Sequence, residues 1–436
     1  MSASTQGRGS PMHVAAVVAT YPKLSETFVL DQISRLTRAG HRVTVIGTPA
    51  GTDLAGGAPG ELVARRPFPD APRHLQRVAR QRRRRVAAQL ELAVRAPGAT
   101  RTLLVRGPRD GFVRWRTIET FLPLLRIGPP DVIHAHFGWF GAHAAEAVAA
   151  MGWRTPVVTS FHGADLSTYV RRHGAQTYRR LFETGTLFLP VSEHWRDRLL
   201  AMGAPPERTL VHHMGVDPDR FPYRERTEVG DGSLRVLSIG RHVAKKGFDV
   251  GLRAIGLLRA RGVEVTYTVV GEGPLRSELE STAKHNGLSA PTVRFTGALS
   301  PSAVRAEIDR HDVLLAPSVT GPDGDCEGIP VVLMEAMASG LPVVASRHSG
   351  IPELVIDGHC GLLAPEHDVG RVAAHLERLA LDPATSRRLA RSARRRVEQD
   401  FHAAVLARRF EQLLASVVGG GHAGVLDATT RDPAAT

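Results

Sequence analysis

The chain has 436 residues, 42% of them hydrophobic, which is enough for two domains of about 200 residues each. It has no run of about 18 apolar residues, and residues 1–11 lack the apolar region of a signal peptide, so we expect a cytoplasmic protein. Two cysteines exclude a disulfide framework and a cysteine metal cluster. The net charge of +13 comes from 52 arginines and four lysines, an Arg bias that makes charge a weak argument for nucleic-acid binding.

The predicted elements begin with a strand at residues 13–19, a helix that ends near Gly40 and a second strand at residues 41–47. This β-α-β order is typical of a parallel sheet, whose ligands bind beyond the carboxyl ends of the strands. The loop with Lys23 follows the first strand and is therefore a candidate edge of a binding site. Residues 50–71 are rich in Gly and Pro and are predicted to be a loop.

A strongly basic helix is predicted at residues 73–94. Eight arginines lie between Arg73 and Arg95, four of them consecutive at residues 82–85, while most apolar residues keep helical spacing. Two interpretations stay open. The helix has a solvated face in an Arg-rich chain, or it meets anionic lipid as a peripheral membrane contact.

Two further strands, at residues 129–136 and 156–160, deliver histidines to the same edge of the sheet. His162 follows the second of these strands beside a glycine, a position exposed to a cleft. His134 and His136 are candidate metal ligands by residue type. We expect their rings to point to opposite faces of the strand, which disfavours a shared metal ion.

A second series of strands and helices begins after a turn-rich linker at residues 218–232. Its first strand, at residues 235–240, ends in a loop with Arg241 and Lys246, and a helix at residues 247–261 follows. The two cations are either solvated loop charges or ligands of a phosphate group. Their place at the end of a strand, facing a helix N-terminus, favours phosphate.

The most informative segment is residues 323–346. A helix is predicted at residues 330–339, because proline suits the first helical position and Gly340 accepts the left-handed conformation that ends a helix. The free N–H groups at Val331 and Val332 then form a site for phosphate.

Two glutamates, Glu327 and Glu335, lie just before this helix and in its second turn. Carboxylates beside bound phosphate repel it unless each binds something else, and the hydroxyl groups of ribose and hexose are suitable donors. The alternative is that both acids are merely solvated.

Several separated motifs resemble one known family. Glu327 and Glu335 match the Glu-x7-Glu signature of retaining family 4 glycosyltransferases, which have the two-domain GT-B fold. The Asp-Gly-Asp motif at residues 323–325 and the Ser-Gly-Ile-Pro-Glu motif at residues 349–353 resemble the exopolysaccharide branch, typified by colanic acid and amylovoran transferases. The resemblance covers residues 14–410.

The resemblance implies an α/β protein with two Rossmann-like parallel-sheet domains that face each other across a cleft. The acceptor-side domain is expected at residues 11–217, completed by a C-terminal helix at residues 401–418. The nucleotide-sugar-binding domain is expected at residues 218–400. Residues 1–10 and 419–436 are expected to be disordered.

The resemblance also implies roles for individual residues. Glu335 is expected to hold the ribose of the donor, Glu327 the hydroxyl groups of the transferred sugar, and His162 to lie beside that sugar. Arg241 and Lys246 are expected to hold the donor diphosphate. The remaining expected donor-binding residues are Gly328, Ile329, Pro330, Val331, Val332, Leu299 and Lys23.

The implied reaction is retaining transfer of a hexose, GlcNAc or glucose, from a UDP-sugar to an acceptor hydroxyl. No metal is expected, because cations already face the phosphates; Asp323 and Asp325 are the alternative metal ligands. The acceptor is either a lipid-linked oligosaccharide of exopolysaccharide synthesis or a soluble glycoside such as an aminocyclitol antibiotic precursor. Two other classes stay open: a basic membrane- or nucleic-acid-binding protein without catalysis, and a sugar phosphorylase.

Overall fold

Two six-stranded parallel sheets organise the protein, each with helices packed against it. The computed structural model describes residues 10–21, 27–49, 61–64, 90–91, 93–94, 97–98, 122–226 and 233–420. Within these ranges, no helix combines the length and the apolar character that crossing a bilayer requires.

Six strands build the first sheet: β1 (His13–Tyr21), β2 (Arg42–Pro49), β3 (Glu61–Ala64), β4 (Val132–His136), β5 (Val157–Phe161) and β6 (Leu187–Pro190). Their order across the sheet is β3-β2-β1-β4-β5-β6, with parallel pairing throughout. The central strands are buried on both faces, which explains why β1 is rich in Val and Ala and β5 is buried at all five residues, without alternation between buried and exposed positions.

The prediction of a loop over residues 50–71 is wrong at one place. Residues Glu61–Ala64 form an edge strand that pairs in parallel with β2. The strand has only four residues and lies in a Gly- and Pro-rich segment, so its pairing depends on the neighbouring strand and not on a pattern of its own.

The helices beside the first sheet include α1 (Thr27–Arg38), α2 (Gly138–Met151), α3 (Thr168–His173), α4 (Arg179–Thr184) and α5 (Glu193–Ala201), and the described residues 122–127 are helical as well. The helix α2 begins at a glycine for a steric reason. A Cβ atom at Gly138 would lie 2.5 Å from the Phe161 ring and 2.6 Å from the Tyr178 ring. The Ala-rich helix therefore packs directly against the loop that follows β5.

The second sheet also has six strands: β7 (Leu234–Ile239), β8 (Val265–Val270), β9 (Val293–Gly297), β10 (Val313–Ala316), β11 (Val343–Ser346) and β12 (Leu362–Ala364). Their order is β12-β11-β10-β7-β8-β9, again parallel throughout. Its helices are α6 (Phe248–Ala260), α7 (Arg276–His285), α8 (Pro301–Arg310), α9 (Val331–Ala338), α10 (Ile351–Leu354), α11 (Val369–Leu381) and α12 (Pro383–Asp400).

The last helix, α13 (Ala403–Val418), returns to the first sheet. Its apolar residues Phe410, Leu413 and Leu414 are buried in the same core as Val14 of β1. A bridge between Val216 and His402 lies where the chain passes between the two sheets. The first domain is thus closed by residues from both ends of the described chain.

Candidate active site

The helix α9 begins one residue later than predicted. Pro330 has φ −62° and ψ 121°, so it precedes the first helical residue, Val331, instead of occupying that position. The Leu333 N–H bonds to the Pro330 carbonyl at 3.0 Å, whereas the N–H groups of Val331 and Val332 have no acceptor within the helix. Gly340 has φ +76° and ends the helix as predicted. The predicted helix start with free N–H groups is therefore present, and its binding of phosphate stays a prediction.

An ion pair lies beside this helix end. The Lys246 ammonium is 2.8 Å from Oε1 of Glu327, and the two side chains are only 18% and 10% exposed. Burial raises the pKa of Glu327, but Lys246 and Lys245 outweigh that effect and the pKa falls below its usual value. Lys246 was predicted to face phosphate, yet in this structure its partner is the carboxylate.

Lys246 also lies close to the start of α9. It lines a small cavity together with Pro330 and Val332. The turn after Lys246 needs glycine, because Gly247 has φ +60° and a Cβ atom there would lie 1.9 Å from the Pro317 carbonyl oxygen. The turn after Lys246 therefore packs directly against the residue that follows β10.

Arg241 is exposed and comes directly after the β7 strand and Gly240. A Cβ atom at Gly240 would lie 2.9 Å from Cε of Lys246, so Arg241 is at the base of the same loop. We call Arg241, Lys246, Glu327 and the first turn of α9 the charged pocket.

Glu335 is half-buried in the second turn of α9. Burial raises its pKa, and Arg220 and Arg305 oppose the shift only in part. Among the described residues, its carboxylate has no hydrogen-bond or ion-pair partner. Leu299 packs against the apolar cluster that contains Leu333 of the same helix. Glu335 thus lies in the second turn of α9, as the sequence predicted, whereas binding of the donor by Leu299 stays a prediction.

The loop of Glu327 touches the first domain. The Glu327 carbonyl accepts hydrogen bonds from Nε1 of Trp195, at 3.2 Å, and from Oγ of Ser349, at 2.7 Å. A Cβ atom at Gly328 would lie 3.2 Å from the His162 carbonyl oxygen, which explains the need for glycine. The structure therefore brings the loops of Glu327 and His162 together.

Four histidines lie on the first domain's side of this contact, and we call His134, His136, His162 and His212 the histidine cluster; the first two are buried and the last two half-buried. Nδ1 of His136 is 3.3 Å from Nε2 of His162. Burial lowers the pKa of all four rings, to about 3 for His136 and about 4 for His212. The cluster is consequently neutral at physiological pH.

The prediction that His134 and His136 point to opposite faces is wrong. Their ring centroids are 4.3 Å apart, because residues two apart on a strand share a face. His134 instead bonds to Oγ of Ser160 at 2.9 Å. Among the described residues, no group of three His, Cys, Asp or Glu side chains is arranged to hold a metal ion.

Sequence reasoning missed the role of Asp165. Its carboxylate accepts the backbone N–H groups of Gly138, His162 and Gly163 at 2.9, 3.0 and 2.9 Å. Burial raises the pKa of Asp165 to about 6 despite these hydrogen bonds. A carboxylate three residues after His162, at the end of a strand, was the available signal. Asp165 positions the backbone of the His162 loop.

Glu353 was noted only as part of a motif, yet it links the two domains. Its carboxylate accepts the N–H groups of Glu193 and His194, at the start of α5, and Nε2 of His213 at 2.9 Å. Burial acts to raise the pKa of Glu353, but the hydrogen bonds from His213 and from these N–H groups outweigh burial and lower the pKa below its usual value. The second domain thus caps a helix of the first.

The acidic pair proposed as alternative metal ligands has other contacts. Asp325 lies 3.0 Å from the Lys245 ammonium, and Oδ1 of Asp323 accepts the Asp325 N–H. Lys23 and most of the basic segment 73–94 lie outside the described residues, so those two predictions stay open.

Known proteins resemble the chain along most of its length. The family model for glycosyltransferase family 4 matches residues 25–220, and the one for glycosyl transferases group 1 matches residues 219–396. WcaL of Salmonella typhimurium, named as a colanic acid biosynthesis glycosyltransferase, is 35% identical over 93% of this chain and 100% of its own. The amylovoran biosynthesis glycosyltransferase AmsK of Erwinia amylovora is 34% identical over 90% of this chain and 97% of its own.

Solved structures agree on the fold. The crystal structure of Anabaena Alr3699/HepE in complex with UDP and glucose has a TM-score of 0.67 at 19% identity, and the match covers 93% of this chain and 100% of that one. The chain therefore belongs to the family 4 glycosyltransferases, has the GT-B fold, and falls in the exopolysaccharide branch with the colanic acid and amylovoran biosynthesis enzymes.

Proposed function

We propose that this exopolysaccharide-biosynthesis glycosyltransferase transfers a hexose, GlcNAc or glucose, from a UDP-sugar to an acceptor hydroxyl with retention of configuration and without a metal ion. The observation that carries the proposal is the Lys246–Glu327 ion pair at 2.8 Å beside the open N-terminus of α9. Cation and carboxylate are within reach of one ligand that carries both phosphate and hydroxyl groups. A nucleotide-sugar is such a ligand.

The ion pair suggests how a donor enters the charged pocket. A diphosphate attracts the Lys246 ammonium more strongly than one carboxylate does, because it carries more negative charge. Glu327 is then released to accept hydrogen bonds from the sugar hydroxyls, and these bonds, together with the nearby Lys245, stabilise its ionised form. The N–H groups of Val331 and Val332 and the exposed Arg241 supply further positive charge.

Glu335 supports the assignment of a ribose. A half-buried carboxylate without a partner among the described residues is costly unless a ligand supplies donors. The two neighbouring hydroxyls of a ribose can bond to both carboxylate oxygens. The UDP and glucose in the HepE complex support the choice of uridine and hexose for the first experiments.

The chemical step is the one that the resemblance to retaining family 4 glycosyltransferases implies. The acceptor oxygen forms a bond to the anomeric carbon as the bond to the leaving diphosphate breaks. The acceptor proton passes to a phosphate oxygen on the same face. Lys246, Arg241 and the α9 amides stabilise the charge that grows on the leaving group, where fixed donors have the largest effect. His162 is neutral, so its ring can contact the sugar without a competing charge.

A hydrolysis screen tests the donor. The protein is incubated with UDP-glucose, UDP-GlcNAc, UDP-galactose and GDP-mannose, with no acceptor, and nucleotide release is measured with and without EDTA. We expect slow UDP release from a UDP-hexose that EDTA does not change. Release from GDP-mannose alone would contradict the choice of uridine. Loss of nucleotide release with EDTA, and its recovery when manganese is added, would contradict metal independence.

The acceptor needs a separate experiment. The names of WcaL and AmsK favour a lipid-linked oligosaccharide of exopolysaccharide synthesis over a soluble antibiotic precursor. A peripheral membrane contact through residues 73–94 is part of this proposal. Replacing the arginines at residues 82–85 with Gln should release the protein from anionic vesicles and leave donor hydrolysis unchanged. A protein that ignores vesicles even at low salt favours a soluble acceptor.

A further inference from the structure

Two consecutive side chains hold the backbone of Glu327 from both ends. Nε2 of His348 accepts the Glu327 N–H at 3.0 Å, and Oγ of Ser349 donates to the Glu327 carbonyl at 2.7 Å. Ser349 has φ +47°, a backbone conformation that is uncommon for residues other than glycine. A strained turn that is kept in place beside a site residue indicates a positioning task.

The hydrogen bond from the Glu327 N–H determines which tautomer His348 adopts. A backbone N–H can only donate, so Nε2 must be the unprotonated nitrogen of the ring. Nδ1 then carries the proton and donates to Oε1 of Glu366 at 2.6 Å. Because the His348 side chain is only 1% exposed, water is poorly placed to replace either partner.

Glu366 also holds the other end of the same loop. Its carboxylate accepts the Thr320 N–H at 2.7 Å and the Thr320 hydroxyl at 3.3 Å. Residues 320–327 are thus tied at their start by Glu366 directly and at their end by Glu366 through His348. Burial raises the pKa of Glu366, but the hydrogen bonds from His348 and Thr320 lower it below its usual value, so it stays an acceptor.

The geometry points to the Glu366–His348 pair as a positioning device for Glu327. Glu366 keeps His348 in the Nδ1–H tautomer, and His348 in turn holds the Glu327 backbone so that its carboxylate faces the charged pocket. His348 is a positioning residue, because it acts through Glu327 and not on the donor. This inference rests on the proposed role of Glu327 toward the sugar.

Two substitutions of His348 separate its two hydrogen bonds. In His348→Gln the side-chain oxygen takes the place of Nε2 and still accepts the Glu327 N–H. In His348→Asn the amide nitrogen takes the place of Nδ1 and still donates to Glu366, but the acceptor for Glu327 is lost. The two variants are matched in polarity and differ in which contact survives.

Steady-state donor hydrolysis is measured for both variants, together with UDP binding by calorimetry. We expect His348→Asn to lower kcat/KM for donor hydrolysis about tenfold or more, as small displacements of positioned groups do, with the UDP Kd unchanged. We expect His348→Gln to recover most of the kcat/KM. Equal losses in both variants, or a loss that falls on UDP binding, would overturn the inference.

A second measurement needs no activity. In protein with 15N-labelled histidine, the His348 signals are assigned by their absence in His348→Gln, and their shifts report which nitrogen carries the proton. We expect the Nδ1–H form in the wild type and a shift toward Nε2–H in Glu366→Gln, whose amide can donate to Nδ1. An Nε2–H form in the wild type would overturn the inference whatever the reaction is. A correct tautomer with no turnover of any UDP-sugar would contradict the proposed function and leave the positioning geometry standing.

Discussion

The charged pocket and the histidine cluster lie on opposite sides of one domain contact and differ in how they carry charge. The pocket in the second domain pairs opposite charges at short range, as in Lys246 with Glu327. The cluster in the first domain consists of buried and half-buried rings whose pKa values are low enough to keep them neutral. In the proposed reaction, the first side would bind the anionic diphosphate and the second the neutral sugar.

The difference shows how two similar sheets are specialised. Both present the carboxyl ends of parallel strands to the cleft, so topology alone does not distinguish them. The side chains at those ends do. In the proposed reaction, cations near the start of α9 would stabilise developing negative charge, whereas the neutral histidines would add no charge that competes for the phosphates.

The largest expected effect comes from removing the cations of the charged pocket. Lys246→Gln or Arg241→Gln should lower the rate of donor hydrolysis by about 10²–10³, because one preorganised donor to the leaving group is lost. Lys245→Gln is the matched control, since the partner of Lys245, Asp325, lies outside the charged pocket. The rate of donor hydrolysis should fall much less in this variant. Equal losses in the Lys245 and Lys246 variants would show that only net charge matters.

A smaller effect distinguishes the roles of the two glutamates of the Glu-x7-Glu motif. Glu335→Ala should weaken UDP and UDP-sugar binding alike, by about 1.5–3 kcal/mol, because the lost hydrogen bonds are to the ribose. Glu327→Ala should spare UDP and weaken only the sugar donor. Calorimetric titration of both variants with UDP decides between these roles, and equal losses of UDP affinity would contradict them.

The histidine cluster should make the first domain acid-sensitive. His136 and His212 have folded-state pKa values of about 3 and 4, below the unfolded value of 6.5, so stability is lost as the pH falls below 6.5. At pH 5 each of these two rings lowers the free energy of unfolding by about 2 kcal/mol. Asp165, whose pKa is raised to about 6, increases it by about 1 kcal/mol. The net expected loss is about 3 kcal/mol.

The four tryptophans all lie between residues 115 and 195, so tryptophan fluorescence reports unfolding of the first domain. The urea midpoint of the first domain should decrease as the pH is lowered from 7 to 5. His212→Gln should make this decrease smaller. The carboxylates with lowered pKa in the second domain, Glu327, Glu353 and Glu366, lose their stabilisation only below about pH 4.5. A pH-independent fluorescence midpoint would contradict the neutral cluster.

The smallest expected effect concerns the contact between the two regions. Glu353→Gln should weaken the cap on α5 by about 1 kcal/mol, on the scale of a lost helix cap. Amide hydrogen exchange at Glu193 and His194 should then be about fivefold faster. His213→Gln keeps the capping carboxylate and should change the exchange less. Unchanged exchange in Glu353→Gln would mean that the domain contact does not depend on this carboxylate.

Much of the candidate site was predictable from local patterns. Gly340 marks the end of α9 because only a residue tolerant of positive φ suits that position, and Pro330 marks its start to within one residue. The Glu-x7-Glu spacing places Glu327 before the helix and Glu335 within it. The edge strand Glu61–Ala64 was missed, because four residues in a Gly-rich segment carry no pattern that differs from a loop.

The sequence by itself determined the family, the two-sheet architecture and the ends of helix α9 to within one residue, because periodicity, helix-ending residues and motif spacing are local properties of the chain. Only the tertiary structure decided which partners those residues have. Lys246 meets Glu327, His348 meets Glu366, and Glu353 caps a helix about 160 residues away in the chain. Such contacts depend on how two domains face each other, and no local pattern encodes the distance between side chains that are brought together by packing.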